Sequence, residues 1–333
     1  IFTRGMLNYN SLNGKLNIQT GYDFNLEYAS GKRIKDGNQN IQDYAGYTVL
    51  KWNVLKGLLI QPGIRYSYNT KFKAPLAPSF NIKYNLYNFG IRASYARGFR
   101  APSLKELYLD FVDTNHFLKG NEDLEAEYSH SYNASLSGSF GNQTHAFDFV
   151  LKGYYTSLKN MITLIHIDPD NDLHYSNVNI DEAQRMGGQL DLRYKFSPHM
   201  KLNFGISRLG RHNSNFPDDE MIFSNNLNAG LTFNFFKNTA TASLFYKFNG
   251  IYPEYFGVDD GNIVVQLIDE YHELDFTIAK SFYNNRLKLT AGLKNALNNI
   301  NINRTGSAGG GHGDSGSAST LVSYGRVWFA GMK

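Results

Sequence analysis

Few side chains in this sequence could do chemistry, and histidines lead them. His116 sits in Phe111-Val112-Asp113-Thr114-Asn115-His116-Phe117. A neutral imidazole can ligate haem iron axially, and Phe117 or Phe111 could pack on a porphyrin face. The same residues also read as a surface loop with one hydrogen-bonding histidine. His312 lies in the Gly/Ser tract that begins at Thr305. Backbone freedom there suits a flexible outer loop, or a segment that folds over a ligand and brings a second imidazole. That tract lacks the Gly-Lys-Ser/Thr ending of a phosphate cradle. His166, His174, His212 and His272 are scattered, without the i, i+4 or Cys/His spacing of a zinc site. The acidic runs Asp168-Pro169-Asp170-Asn171-Asp172, Asp218-Asp219-Glu220 and Asp259-Asp260-Gly261 could hold calcium at loops through hard oxygens. They lack the glycine and distal glutamate of an EF-hand and read more simply as solvated turns. A nucleophile is missing: the chain has no cysteine and no Gly-x-Ser-x-Gly, and no serine is placed beside His145 or His174. An enzyme is not expected.

The elements that must position His116 lie in residues 94–128. Ser94, Tyr95 and Ala96 begin as strand and run into Arg97-Gly98-Phe99-Arg100-Ala101-Pro102. Pro102 has no amide donor and ends the ladder. Ser103-Leu104-Lys105-Glu106-Leu107 reads as a short helical turn with Ser103 as cap and Glu106 at the capping-box position. Asn121-Glu122-Asp123-Leu124 follows, and a new strand opens near Glu127.

The pair Phe99-Arg100-Ala101-Pro102 and Asn121-Glu122-Asp123-Leu124 resembles the Phe-Arg-Ala-Pro and Asn-Pro-Asp-Leu boxes of TonB-dependent outer-membrane receptors. Glu122 departs from the proline usual in the second box. In the haem-uptake branch a histidine lies between the boxes, and His116 occupies that interval. For Arg100 two roles are open: shaping the ligand path at the extracellular rim, or pairing as a lumen arginine with wall or plug carboxylates.

Composition agrees with a membrane β-barrel. The chain has 333 residues with 23 Tyr and 24 Phe, and only 8 Pro. No run approaches the roughly 18–20 consecutive apolar residues of a spanning helix. Aromatic girdles and a polar lumen are the marks of an outer-membrane barrel. A net charge of +4 without a basic cluster gives no case for nucleic acid. Period-two runs at 2–9, 15–29, 42–53, 57–69, 76–86, 88–97, 127–140, 144–156 with a possible continuation to 167, 182–196, 201–211, 222–235, 239–248, 271–282, 286–296 and 322–332 predict about 15 antiparallel strands. Short connections alternate with long ones near 30–41, 98–126, 157–181, 211–222, 249–270 and 297–321. That asymmetry predicts periplasmic turns at one end and extracellular loops at the other.

The resemblance implies an all-β, 22-stranded barrel with a plug. This chain would be the last two-thirds of that barrel, with the plug and first strands absent from it; since an open sheet in lipid exposes unpaired edges, the missing part is expected to exist elsewhere. Lys333 stands where the family ends on an aromatic residue, which suggests a chain trimmed by a few residues. The expected function is import of a scarce, bulky nutrient across the outer membrane, driven by a TonB complex acting on the missing plug. Haem, free or from a surface lipoprotein cap, is the first candidate cargo, with His116 and His312 as iron ligands and Phe117 and Arg100 as further ligand contacts. Cobalamin and a ferric siderophore follow, and a passive porin is the rival from another class. No intrinsic cofactor is expected. Outer-membrane lipids would surround the wall.

Overall fold

Period-two alternation folds into one long antiparallel sheet. The computed structural model describes the chain apart from residues 12, 114–115, 168–173, 215–219, 238, 260–261, 285, 306–318 and 322–324, and apart from the side chains of 116, 166, 254–259, 262–266, 303–305 and 319–321. The chain opens with β1 (Phe2–Asn10), β2 (Leu16–Ser30), β3 (Asn38–Leu55), β4 (Leu58–Asn69), β5 (Ala77–Leu86) and β6 (Phe89–Arg100). A short helix α1 (Leu104–Tyr108) and a hairpin of β7 (Asp110–Asp113) and β8 (His116–Lys119) come next. Then follow β9 (Glu127–Gly141), β10 (Ala146–His166), β11 (His174–Ser197), β12 (Met200–Asn213), β13 (Ile222–Phe235) and β14 (Ala240–Asn249). The rest comprises β15 (Tyr252–Asp259), β16 (Asn262–Ile268), β17 (Tyr271–Phe282), β18 (Leu287–Lys294), β19 (Asn301–Thr305), β20 (Ser319–Leu321) and β21 (Val327–Met332).

Of the 21 strands among the described residues, β7, β8, β15, β16, β19 and β20 belong to connections; the other fifteen form a continuous wall of neighbours in chain order. No helix of the described residues is long and apolar enough to cross a membrane. Most wall strands are long enough to cross as strands: about 9–11 residues suffice to span at a tilt, and β2 and β9 each have 15, while β18 and β21 are shorter, at 8 and 6.

Register sorts the side chains. On β4, Ile60, Ile64, Tyr66 and Tyr68 alternate with Gln61, Arg65, Ser67 and Asn69. Pairings such as Phe80 with Tyr95 and Tyr95 with Tyr132 carry the apolar face onward, toward lipid. The opposite, inner face is polar. There Asp23 is gripped by Arg4 and Arg65, and Arg65 also lies 4.0 Å from Asp43.

One end of the wall is closed by tight turns. Gly57 (φ 85°), Tyr87 (φ 50°), Phe236 (φ 48°) and Tyr283 (φ 51°) adopt the left-handed conformation that two-residue hairpins require. A Cβ on Gly57 would collide with the Asn85 carbonyl. The other end carries the wide connections, and one of them differs from expectation. Strand continues through 157–166, as the possible extension to 167 allows, and resumes at 174, where a loop is expected. The β10–β11 ladder runs to His166 opposite Tyr175, held by backbone pairing although strict apolar–polar alternation lapses at Met161-Ile162 and Leu164-Ile165. Asn160 (φ 55°) marks a local bend within it.

Buried apolar side chains gather at this wide end rather than inside the wall. Leu104, Leu107, Tyr108, Ile41 and Leu124 form the larger cluster, with Ile34, Phe72 and Ile162 packed against it. Met161, Ile180 and Ala183 form a second beside Leu158.

Candidate functional site

The rim site is built on the exit of β6. Pro102 is fully buried and ends the strand. Ser103 then takes an extended conformation (φ −76°, ψ 160°) and caps α1. Its hydroxyl accepts from the Glu106 amide at 3.3 Å, and Glu106 accepts from the Ser103 amide at 2.7 Å. This is the reciprocal capping box expected from the sequence. Leu104, Leu107 and Tyr108 face inward. Gly120 returns onto the helix so closely that a Cβ there would sit 2.6 Å from the Leu107 carbonyl. The Gly120 amide donates to Leu109 at 2.7 Å and the Asn121 amide to Glu106 at 2.9 Å.

Arg100 is the electrostatic centre. Its Nε and Nη2 donate to Glu127 at 2.6 and 2.9 Å, and its Nη1 reaches both oxygens of Glu106 at 3.0 Å. Such forked, charge-assisted contacts fix geometry as well as add energy. The bond to Glu127, then that to Glu106, push the guanidinium pKa up. Burial raises the Glu106 pKa, but the Ser103 amide, Arg100 and the Ser103 hydroxyl outweigh it and hold the carboxyl below its ordinary value. Of the two roles open for Arg100, the geometry displays the pairing one: it ties the end of β6 to the start of β9 and to α1.

The second box is equally structural. Leu124 is buried. The Asn121 side chain donates to the Asn177 carbonyl at 2.9 Å, and Asn179 bridges the carbonyls of Glu125 at 3.1 Å and Asn160 at 2.7 Å. Glu122, in the usual proline position, pairs with Lys35 of the 31–37 connection, and that bond raises the Lys35 pKa. The departure from the family pattern thus has a partner in the neighbouring loop. Lys71 joins from a third connection, donating to the Tyr108 hydroxyl at 2.8 Å and lying 4.4 Å above its ring.

The β7–β8 hairpin stands on this platform. β8 pairs in parallel with the start of β11, Phe117 opposite His174. The Phe117 and His174 rings lie 3.6 Å apart at 45°, and Lys119 sits 5.0 Å over Phe117. The backbone of His116 opposes Asp113 across the hairpin. The side chain of His116, and His312 entirely, lie outside the described residues. So do Asp168 to Asp172, Asp218, Asp219, Asp260 and Gly261 of the acidic runs considered for calcium. Among the described residues no group of three or more His, Asp or Glu side chains is arranged to hold a metal ion. Phe111 is occupied by Arg33, whose guanidinium carbon lies 4.2 Å above its ring.

Sequence reasoning gives His174 no role at the rim and passes over Glu127. Nothing in their local sequence marks them: His174 meets Phe117 from 57 positions away in the chain, and Glu127 meets Arg100 across 27. The signal for Glu127 is present only in register, as the residue that a strand opened at 127 sets opposite Arg100.

Comparison with known proteins places this geometry. Residues 2–296 match the model of the family described as TonB dependent receptor-like, beta-barrel. A haemoglobin and haemoglobin-haptoglobin-binding protein B of Haemophilus influenzae is 24% identical over 228 residues, which are 58% of this chain and 21% of that protein. A haemoglobin-haptoglobin utilization protein B of Neisseria meningitidis is 34% identical over 80 residues, 24% of this chain and 9% of the other. Among solved structures, the ferric enterobactin receptor of Pseudomonas aeruginosa has a TM-score of 0.72 at 16% identity, covering 99% of this chain and 53% of its own. The FrpB iron transporter of Neisseria meningitidis gives 0.69 at 13%, covering 99% and 54%. The chain thus spans about half the length of the solved structures it resembles, and a smaller share of the curated relatives. With its fifteen-stranded wall and packed rim, it belongs to the β-barrel family of TonB-dependent receptors of the bacterial outer membrane.

Proposed function

We propose that this chain forms the wall and the ligand-receiving rim of an import receptor for haem, energised from the inner membrane through TonB. The observation that carries the reading is the β7–β8 hairpin. Its backbone pairs His116 with Asp113 between the two boxes, and its second strand is joined to β11 beside the Arg100–Glu127 contact. The likeness to a haemoglobin-binding protein and to a haemoglobin-haptoglobin utilization protein supports the same cargo. In this reading haem is the substrate. His116 is its axial ligand, His312 a second ligand brought by the Gly/Ser segment, and Phe117 a wall beside the porphyrin. Arg100 positions the platform, and a surface lipoprotein delivers the cargo.

The test is a haem titration of the complete receptor followed in the Soret band, with His116→Ala and His312→Ala alongside. A saturable Soret shift that weakens at least tenfold in His116→Ala is expected. No shift, with tight binding of cobalamin or a ferric siderophore instead, would move the cargo to that ligand and leave His116 a loop residue.

A further inference from the structure

A lateral rung of the inner wall carries a charge arrangement that the rim does not explain. Lys83 on β5 lies directly opposite Arg92 on β6. Arg92 opposes Ser135 on β9, and Ser135 opposes Lys152 on β10. Three cations therefore share one rung within about 14 Å, three strand spacings. Like charges directly opposite each other destabilise a ladder. The nearby acid relieves only one of them: Asp191 is held by Lys152 at 3.1 Å and by Gln189 at 2.9 and 3.0 Å. Lys83 and Arg92 make no ion pair with a carboxylate among the described residues.

The same residues line a cavity of about 620 Å³ on the inner wall, with Asn81, Asn133 and Gln189 beside the cations. The contrast with Arg4, Arg65 and Asp23 is direct. On that part of the wall arginines are interleaved with acids; on this rung they are not.

We propose that Lys83 and Arg92 form a seat for a carboxylate inside the barrel, with the amide side chains of Asn81 and Asn133 as further donors. A carboxylate between the two cations would turn a repulsive pair into a bridged one and accept donors from both. Two sources supply that chemistry: the carboxylates of an anionic cargo, such as the propionates of haem, or an acidic side chain of a protein segment within the barrel. The cargo source rests on the haem reading; the seat itself does not.

Carbodiimide coupling tests it on the complete receptor in outer-membrane vesicles, with haem, with haem dimethyl ester and with neither. The reagent activates a carboxylate; the Lys83 amine attacks the acyl carbon, an amide forms and a urea leaves. Peptide mass spectrometry is then read at Lys83. A porphyrin adduct that forms with haem but not with its ester assigns the seat to cargo. An amide to an acidic peptide, independent of haem, assigns it to a segment of the protein. Either adduct should fall at least fivefold in Arg92→Gln. The Lys152–Asp191 pair, already in contact, is the internal control. Coupling there with Lys83 left free, or an adduct insensitive to Arg92→Gln, overturns the proposal. Failure of the haem reading shows separately, as a missing Soret shift.

Discussion

Leu107 at the rim keeps 2% of its surface exposed, whereas Tyr66 on the wall keeps 63%. Leu107 is enclosed by connections of the chain itself. Tyr66 faces outward to lipid, where an apolar ring needs no protein cover. Their stabilities therefore have different sources. The wall is held by backbone ladders between neighbouring strands, which satisfy polar groups in a medium without water. The rim is held as a water-soluble protein is held, by an apolar cluster, a helix cap and charge pairs. Substitutions that remove packing or charge should loosen the rim and leave the wall untouched.

Leu107→Ala is the strongest way to force that separation. Truncating a buried leucine costs about 3 kcal/mol. Amide hydrogen exchange in residues 101–126 should accelerate by roughly a hundredfold, since every 1.4 kcal/mol is tenfold, while the β9–β10 ladder keeps its protection. Equal acceleration in both regions would mean that rim and wall open as one unit.

Arg100→Ala comes next. It leaves Glu106 and Glu127 facing each other without their cation. Loss of a fully buried partner costs about 3–5 kcal/mol and of an exposed one about 0–1. Arg100 is 44% exposed and its acids 22% and 16%, so about 2 kcal/mol is expected. Limited proteolysis within residues 101–126 should report it. Arg100→Lys should recover less than half, because an ammonium cannot make the same fork.

The smallest effect is that of acid. Glu106 is held below its ordinary pKa in the folded rim. Its contribution is fully present above the unfolded carboxylate value, about 4.3, and is lost as pH falls through the lower folded value. Protease resistance of the rim should be flat from about pH 5 to 8 and decline below about pH 4. Glu106→Gln should flatten the decline. The β12–β13 ladder, which carries no carboxylate, should show none of it.

Much of the wall is legible in the sequence, because a strand with lipid on one side and a polar lumen on the other must alternate. Ile60, Ile64, Tyr66 and Tyr68 announce β4 without any knowledge of its neighbours. The cap of α1 is legible for a similar reason, since Ser103 and Glu106 act on each other locally. The rim as an assembly is not. Lys35 and Glu122 are 87 positions apart, and no local pattern joins them. The upper part of β11 reads as loop, and that of β10 only as a possible extension, because lipid no longer dictates which side chains must be apolar. Asn160 makes a turn plausible there, whereas its left-handed conformation bends the strand without ending it.

The length of that hairpin has its own consequence. β10 has 21 residues and β11 has 24. At about 3.3 Å per residue the shorter runs about 70 Å, or roughly 50 Å in height at a 45° tilt, against an apolar band of about 25 Å. Much of it stands above the bilayer as a blade. Its backbone pairing keeps it upright whatever side chains it carries, so its outer residues can drift in sequence without loss of shape. Anything approaching the membrane from outside would meet this part of the receptor early. The same blade can therefore change its surface chemistry while the platform beneath it stays fixed.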